Sequence, residues 1–256
     1  MSIPSTRDNW DQHWQNYSDT AERNPAQNYR HQLALSLLDA TGDGAGMRII
    51  DIGSGQGDMA AVIRARFPAA EIMGLELAQS GVEISRRKVQ SARFVQRDLL
   101  DATSLAPQQK GWATHAICCE VIEHLDDPAR LLANARAYMQ QDCRLVLTAP
   151  GGPMSAFDKH IGHRKHWRRG EIEKLLADAG YTPDHVSGVG FPFFNLYRCV
   201  VILRGKKLIE DVSAGPVRNA PWSARAAMSL FHRLIRLNLN SSRWGWQMVA
   251  KARVKC

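Results

Sequence analysis

The sequence predicts an α/β chain, a mostly parallel sheet with helices on both faces. Three observations carry this. From Arg48 onward, short apolar runs alternate with segments whose apolar residues recur at helical spacing. A glycine-rich turn, "DIGSGQGD", joins the first apolar run to the first helical pattern. The chain has 256 residues, enough to bury one full core with decorations.

The elements follow in order. "RIIDIG" (48–53) reads as a buried strand, with a helix from Asp58 to Phe67. "EIMGLEL" (71–77) is a second strand and "QSGVEISRRKVQ" a helix. "ARFVQRDL" (92–99) and "ATHAICCEV" (113–121) are strands three and four, and "DPARLLANARAYM" is helical. "CRLVLTAP" (143–150) is a fifth strand. "RRGEIEKLLADAG" (168–180) is a helix that Gly180 stops. "YTPDHVSGVG" and "GWQMVAKARV" (245–254) complete the set. Two pieces stand outside the alternation: an N-terminal helical segment (1–44) with early aromatics, and residues 191–243. The latter is too long for a plain connection.

Composition is ordinary for a soluble domain. The start, "MSIPSTRDNWDQHW", has no apolar leader core, and "FPFFNLYRCVVIL" is too short to span a bilayer. Five cysteines without a C-x-x-C pair read as reduced thiols in a cytoplasm. The net charge of +8 is uneven: residues 1–190 carry −2 and residues 191–256 carry +10. The basic quarter is therefore a statement about what it touches.

In an open α/β sheet a ligand sits beyond the C-terminal strand ends, so the glycine turn is the place to look. A Walker loop needs G-K-[ST], but here Asp58 and Met59 follow the last glycine. A dinucleotide loop places pyrophosphate on the helix N-terminus, where the Asp58 carboxylate repels it. A phosphate-free ligand with a ribose fits better, and S-adenosylmethionine is one. Glu76 offers two acceptor oxygens to a ribose diol, and Asp98 suits an adenine amino group. Acids ending strands one, two and three (Asp51, Glu76, Asp98) around G-x-G-x-G are far more specific than glycines alone.

On these residues the chain resembles the class I S-adenosylmethionine-dependent methyltransferases. "IIDIGSGQGDMA", "MGLELAQSGVEISRRK" and "FVQRDLL" look like their first three motifs. "AICCEVIEHLDDPARLLANARAYM" and "GHRKHWRRGEIEKLLADAGY" resemble the small-molecule branch that includes ubiquinone-biosynthesis-type O-methyltransferases. The resemblance spans residues 45–190 and the last strand. It implies a Rossmann-like sheet of seven strands with the last antiparallel. An N-terminal lid and a helical insertion before the last strand complete that picture. It implies cofactor contacts from Asp51, Gly53, Ser54, Gly55, Gly57, Glu76, Leu77, Asp98, Leu99 and Glu120.

Methyl transfer from a sulfonium is an in-line displacement governed by positioning. A base is needed only where the acceptor must lose a proton. Glu120 in "EVIEHL" lines the site. Glu123 reads as a favourable charge at a helix start, and His124 as a base or a loop tie. His160, His163 and His166 invite a zinc reading, but no carboxylate completes the set and cations adjoin it, so no metal is expected. His163 is the candidate general base, with a loop-tying role for His163 and Arg164 as the alternative. Trp14, Tyr17 and Tyr29 are candidates to cover the acceptor.

"WSARAAMSLFHRLIRLNLN" reads as a basic amphipathic helix. Arg225, His232, Arg233 and Arg236 lie on one face and Leu230, Phe231, Leu234 and Leu237 on the other. Three partners suit it: anionic lipid or an amphiphilic acceptor, an acidic substrate, and, least, RNA. The sequence therefore points to a methyltransferase for a small apolar or amphiphilic molecule. It would work in the cytoplasm, with peripheral contact at the inner membrane surface. An RNA methyltransferase and an inactive cofactor-binding scaffold are the alternatives.

Overall fold

The computed structural model describes residues 10–11, 14, 25–101, 105–213, 229–239 and 241–255. Helix α1 (Pro25–Ser36) leads into β1 (Arg48–Ile52). Then come α2 (Asp58–Arg66), β2 (Glu71–Glu76), α3 (Gln79–Lys88), β3 (Arg93–Gln96) and β4 (Ala113–Cys119). Helix α4 (Pro128–Ala135), β5 (Met139–Pro150), the short α5 (Ala156–His160) and α6 (Arg169–Asp178) follow. Strand β6 (Tyr181–Val189), α7 (Phe193–Ser213) and β7 (Gln247–Val254) close the chain.

The strands form one sheet in the order β3-β2-β1-β4-β5-β7-β6. Strand β7 runs antiparallel to both β5 and β6, and the other recorded pairings are parallel. Strand order reverses between β1 and β4, which share the register Ile49↔His115 through Ile52↔Cys118. In an open α/β sheet such a switch point is where ligands bind, beyond the C-terminal strand ends from which the glycine turn emerges.

The two-residue period of β1 explains why it reads as an apolar run. Ile50 and Ile52 face a core shared with Leu131 and Leu132 of α4 and Ile172 of α6. Ile49 faces the opposite core with Met59 and Ile63 of α2 and Leu38. Both faces are covered, so both sets are apolar.

Boundaries shift where side chains outvote periodicity. Helix α4 starts at Pro128, because Asp127 caps it by accepting from the Arg130 N–H at 3.0 Å. Glu123 is thus not a helix-start charge: it lies in a short 3-10 turn, Ile122–His124, with no exposure. Between β6 and β7, α7 runs 21 residues and is broken at Gly205, whose φ is 40°. The basic segment is helical over 229–234 and packs on α7 through an edge-on contact of Phe231 with Tyr197 at 5.7 Å. Arg225 lies outside the described residues. No described helix is long and apolar enough to cross a membrane.

Candidate active site

The glycine turn is pinned from below. The N–H groups of Gly53 and Ser54 both donate to the Leu75 carbonyl, at 2.8 and 3.0 Å. Gly53, Gly55 and Gly57 have φ of 68°, 53° and 83°, the left-handed region that disfavours a side chain. A Cβ on Gly53 would lie 2.6 Å from Val121, and one on Gly57 2.8 Å from the Ser85 Cβ. These two glycines therefore let the turn close onto β4 and α3. The middle one does something different: a Cβ on Gly55 would lie 2.7 Å from the Trp14 indole.

Acids surround this turn. Glu76 accepts from the Gly55 N–H at 2.8 Å through one oxygen and from the Ala78 N–H at 2.9 Å through the other. Burial pushes its carboxyl up, while those bonds and one from Trp14 pull it back. These bonds fix the carboxylate at the end of β2. Asp51 is 2 % exposed, and its Oδ2 has no hydrogen-bond partner. Burial first, then the charges of Glu76 and Asp58, push Asp51 up to about 7. The Ser54 hydroxyl is likewise buried without a partner. Asp58 opens α2 and accepts from Gln56 (2.8 Å), Gln27 (3.0 Å) and Lys88 (2.5 Å). An acid-lined turn with orphaned acceptors fits a ligand that brings cationic donors and hydroxyls, and it disfavours a diphosphate. The methionine tail and ribose of S-adenosylmethionine are such groups.

Asp98 lies two residues past β3, is exposed, and accepts from the Leu100 N–H at 2.8 Å. Leu77 is exposed just after β2, whereas the Leu99 side chain is buried in the core and its carbonyl accepts from Asn134 at 2.7 Å.

Beyond β4, Glu120 takes a φ of 56° and is held from three sides. One oxygen accepts from Thr148 of β5 and Gln247 of β7, both at 2.8 Å, and the other lies 3.4 Å from Arg30 of α1. These three partners are not visible in the sequence. Locally each is only a polar residue: Thr148 near the end of β5, Gln247 at the start of β7 and Arg30 within α1.

The loop after β5 folds back over this end. The Arg164 N–H donates to the Glu123 carbonyl at 2.8 Å, and Arg164 also pairs with Asp126. His163 and His166 approach to 3.1 Å between Nδ1 and Nε2, while His160 is exposed at the end of α5. Burial, then the neighbouring His124, lowers His163 to about 2. That shift keeps the ring neutral, the form in which an imidazole can accept a proton. The His124 ring packs edge-on against His163 and against Trp10, each at 4.8 Å.

Three described residues of the N-terminal segment, Trp10, Asp11 and Trp14, reach this end of the sheet. Asp11 accepts from the Ser80 N–H at 2.8 Å, Trp14 lies on Gly55 and Gly81, and Trp10 reaches His124. Trp14 thus sits on the glycine turn beside Glu76, on the cofactor side. Tyr29 of α1 lies 5.5 Å from Phe194 of α7, and burial pushes its phenol up to about 12. Tyr17 lies outside the described residues.

Fold, turn and strand-end acids together define a methyltransferase. The chain belongs to the methyltransferase-domain family, which matches residues 25–186, and it is a class I S-adenosylmethionine-dependent methyltransferase of small-molecule type. It is 27% identical over 200 residues to a ubiquinone biosynthesis O-methyltransferase of Acinetobacter baumannii, covering 71% of this chain and 80% of that one. It is 32% identical over 162 residues to an uncharacterized 37.1 kDa protein in transposon TN4556 of Streptomyces fradiae. That match takes in 57% of this chain and spans 46% of the relative's length. The fold is shared with geranyl diphosphate C-methyltransferase of Streptomyces coelicolor, solved with S-adenosyl-L-homocysteine, at a TM-score of 0.56 and 15% identity. That superposition covers 89% of this chain and 76% of the other.

Proposed function

We propose that the acceptor is a small amphiphilic molecule that presents a hydroxyl and is met at an anionic membrane surface. One observation carries this reading. Among the described residues, every large exposed hydrophobic side chain except Leu77 lies between β6 and β7: Leu196, Val200, Leu203, Leu230, Leu237, Leu239 and Trp244. Exposed Arg204, Lys207, Arg233, Arg236 and Arg243 accompany them. An apolar stripe edged by cations suits a lipid-like surface better than a polar polymer. The O-methyltransferase relatives support oxygen as the accepting atom.

The cofactor supplies a methyl group on a sulfonium. The chain supplies position. Glu76 and the glycine turn fix the cofactor's depth, and the Glu120, Thr148, Gln247 and Arg30 cluster stiffens the floor facing the acceptor. Trp10 and Trp14 cover the cleft and exclude water.

The test has two arms. S-adenosylhomocysteine at a hundredfold excess over its Kd should stabilise the fold by about 2.7 kcal/mol. Hydroxylated aromatics with and without an alkyl tail should then differ in turnover, the tailed ones favoured. No thermal shift would remove the methyltransferase reading of this site. A preference for untailed, fully soluble acceptors would remove the amphiphilic one.

A further inference from the structure

We propose that Trp14 competes with the cofactor for one seat, and that its departure from the glycine turn sets how fast S-adenosylmethionine enters. The indole lies directly against backbone at two places. A Cβ on Gly55 would meet its ring carbons at 2.7 and 2.8 Å, and one on Gly81 would meet its Cδ1 at 3.1 Å. The same Gly81 position lies 3.0 Å from the Glu76 Cγ and 3.0 Å from the Gly55 carbonyl oxygen. The glycine turn, the end of β2 and the start of α3 thus converge on a floor without side chains, and the indole reaches from one glycine to the other.

That floor is where a nucleoside has to lie. Glycine at 55 and 81 lets a sugar or a flat ring touch the backbone, and Glu76 stands beside it as the acid for the ribose. Trp14 uses the same acid. Burial pushes the Glu76 carboxyl up, and a hydrogen bond from Trp14 is among those that pull it back. An indole N–H can only donate, and a ribose hydroxyl that meets this carboxylate also donates. Tryptophan and ribose therefore ask for one carboxylate and one strip of backbone, and the cofactor can settle only after the indole has left.

Contacts on both sides hold the indole in place. The Ser80 N–H donates to the Asp11 carboxylate at 2.8 Å, and the Ser80 hydroxyl donates to the Asp11 carbonyl at 3.3 Å. Ser80 lies in the first turn of α3, where a negative charge is favoured, and these bonds hold the Asp11 carboxyl below its ordinary value. Trp10 stands 6.3 Å from Trp14 and packs edge-on against His124 at 4.8 Å. The pair is thus moored at α3 and again beyond β4.

Competition differs from covering in its rates. A cover touches the bound cofactor and slows its escape. A competitor must first leave, so it slows entry. Once displaced, Trp14 can lie over the cofactor and keep out water, so the two roles follow one another. An open fraction of about one tenth would raise the apparent Kd about tenfold.

Surface plasmon resonance of S-adenosylhomocysteine over the immobilised full chain separates the two rates. Neither Asp11 nor Trp14 belongs to a hydrophobic core, so variants at both positions keep the fold. Trp14→Ala should raise the association rate constant about tenfold. Asp11→Ala keeps the indole and loosens its mooring, so it should raise the same constant by a smaller factor, about threefold. An association rate of Trp14→Ala within about twofold of wild type, or a change confined to dissociation, would overturn the competition. An unchanged rate in Asp11→Ala would overturn the mooring at α3.

Discussion

Asp51 stands one residue before the end of β1, ahead of the glycine turn, and its carboxyl is pushed up to about 7 by burial and by the nearby Glu76 and Asp58 charges. Its folded value lies above the unfolded 3.8, so the stability it contributes is full at low pH and fades as pH rises through about 7. Binding reverses the balance. A cationic amino-acid tail beside Asp51 favours the carboxylate, so binding near pH 7 should expel a proton. Cofactor affinity should therefore rise with pH from about 6 to 8, by up to about tenfold per unit below the free-protein value. Calorimetry in two buffers of different ionisation heat at about pH 6.5 should show net proton release, and Asp51→Asn should abolish it. Zero release, or uptake, in the wild-type protein would sever Asp51 from the cofactor's charge.

At the scale of elements, the turn from β1 to α2 is where backbone conformation and packing agree most closely. Gly57 has a φ of 83°, and an added Cβ would lie 2.8 Å from the Ser85 Cβ and 3.1 Å from its Cα. Left-handed backbone alone costs a substituted residue about 1–2 kcal/mol, and here α3 must also move. Gly57→Ala should thus lower unfolding stability by at least that amount in a urea melt. A loss near zero would mean the turn is softer than its geometry implies. This element was legible in sequence because three glycines at alternate positions, directly after an apolar run, mark a tight strand-to-helix turn. The strands were legible for a related reason: Ile49, Ile50 and Ile52 are apolar on both faces, and the structure buries both. Asp51 and Glu76 stand on β1 and β2 as read, whereas Asp98 lies two residues beyond the end of β3, and the surroundings of the strand acids were not legible. The Arg30, Thr148 and Gln247 partners of Glu120 come from α1, β5 and β7, and no local spacing joins them. Glu123 shows the same limit. Locally it resembles a helix-start charge, yet the helix waits for Asp127, and the loop after β5 buries Glu123 against His163. The histidine stretch shows it too: His160 is exposed, while His163 and His166 turn inward and Asp158 joins them within 4.8 Å, a carboxylate the spacing did not supply.

At the scale of the molecule, charge and exposed apolar surface fall in the same place. Residues 191–256 carry a net +10 against −2 for the rest, and the exposed leucines cluster there. Leu203 is the most exposed of them, at 85%. The acid-lined cofactor turn occupies the rim of β1 and β2, so the two polarities of the molecule are separated in sequence and in function. Each basic residue near an anionic leaflet contributes about 1 kcal/mol, and burial of one leucine about 1.5–3 kcal/mol. The full chain should therefore sediment with vesicles containing phosphatidylglycerol and much less with pure phosphatidylcholine. Binding should weaken as salt shortens the reach of the cations to about 3 Å at about 1 M ionic strength. Leu203→Glu should cost about tenfold or more in vesicle affinity, because it removes an apolar anchor and adds repulsion, while its response to S-adenosylhomocysteine stays intact. Equal sedimentation with both vesicle types would leave an apolar contact without electrostatic steering. Sedimentation with neither would separate the acceptor from any membrane and return the stripe on α7 to the role of an unoccupied protein surface.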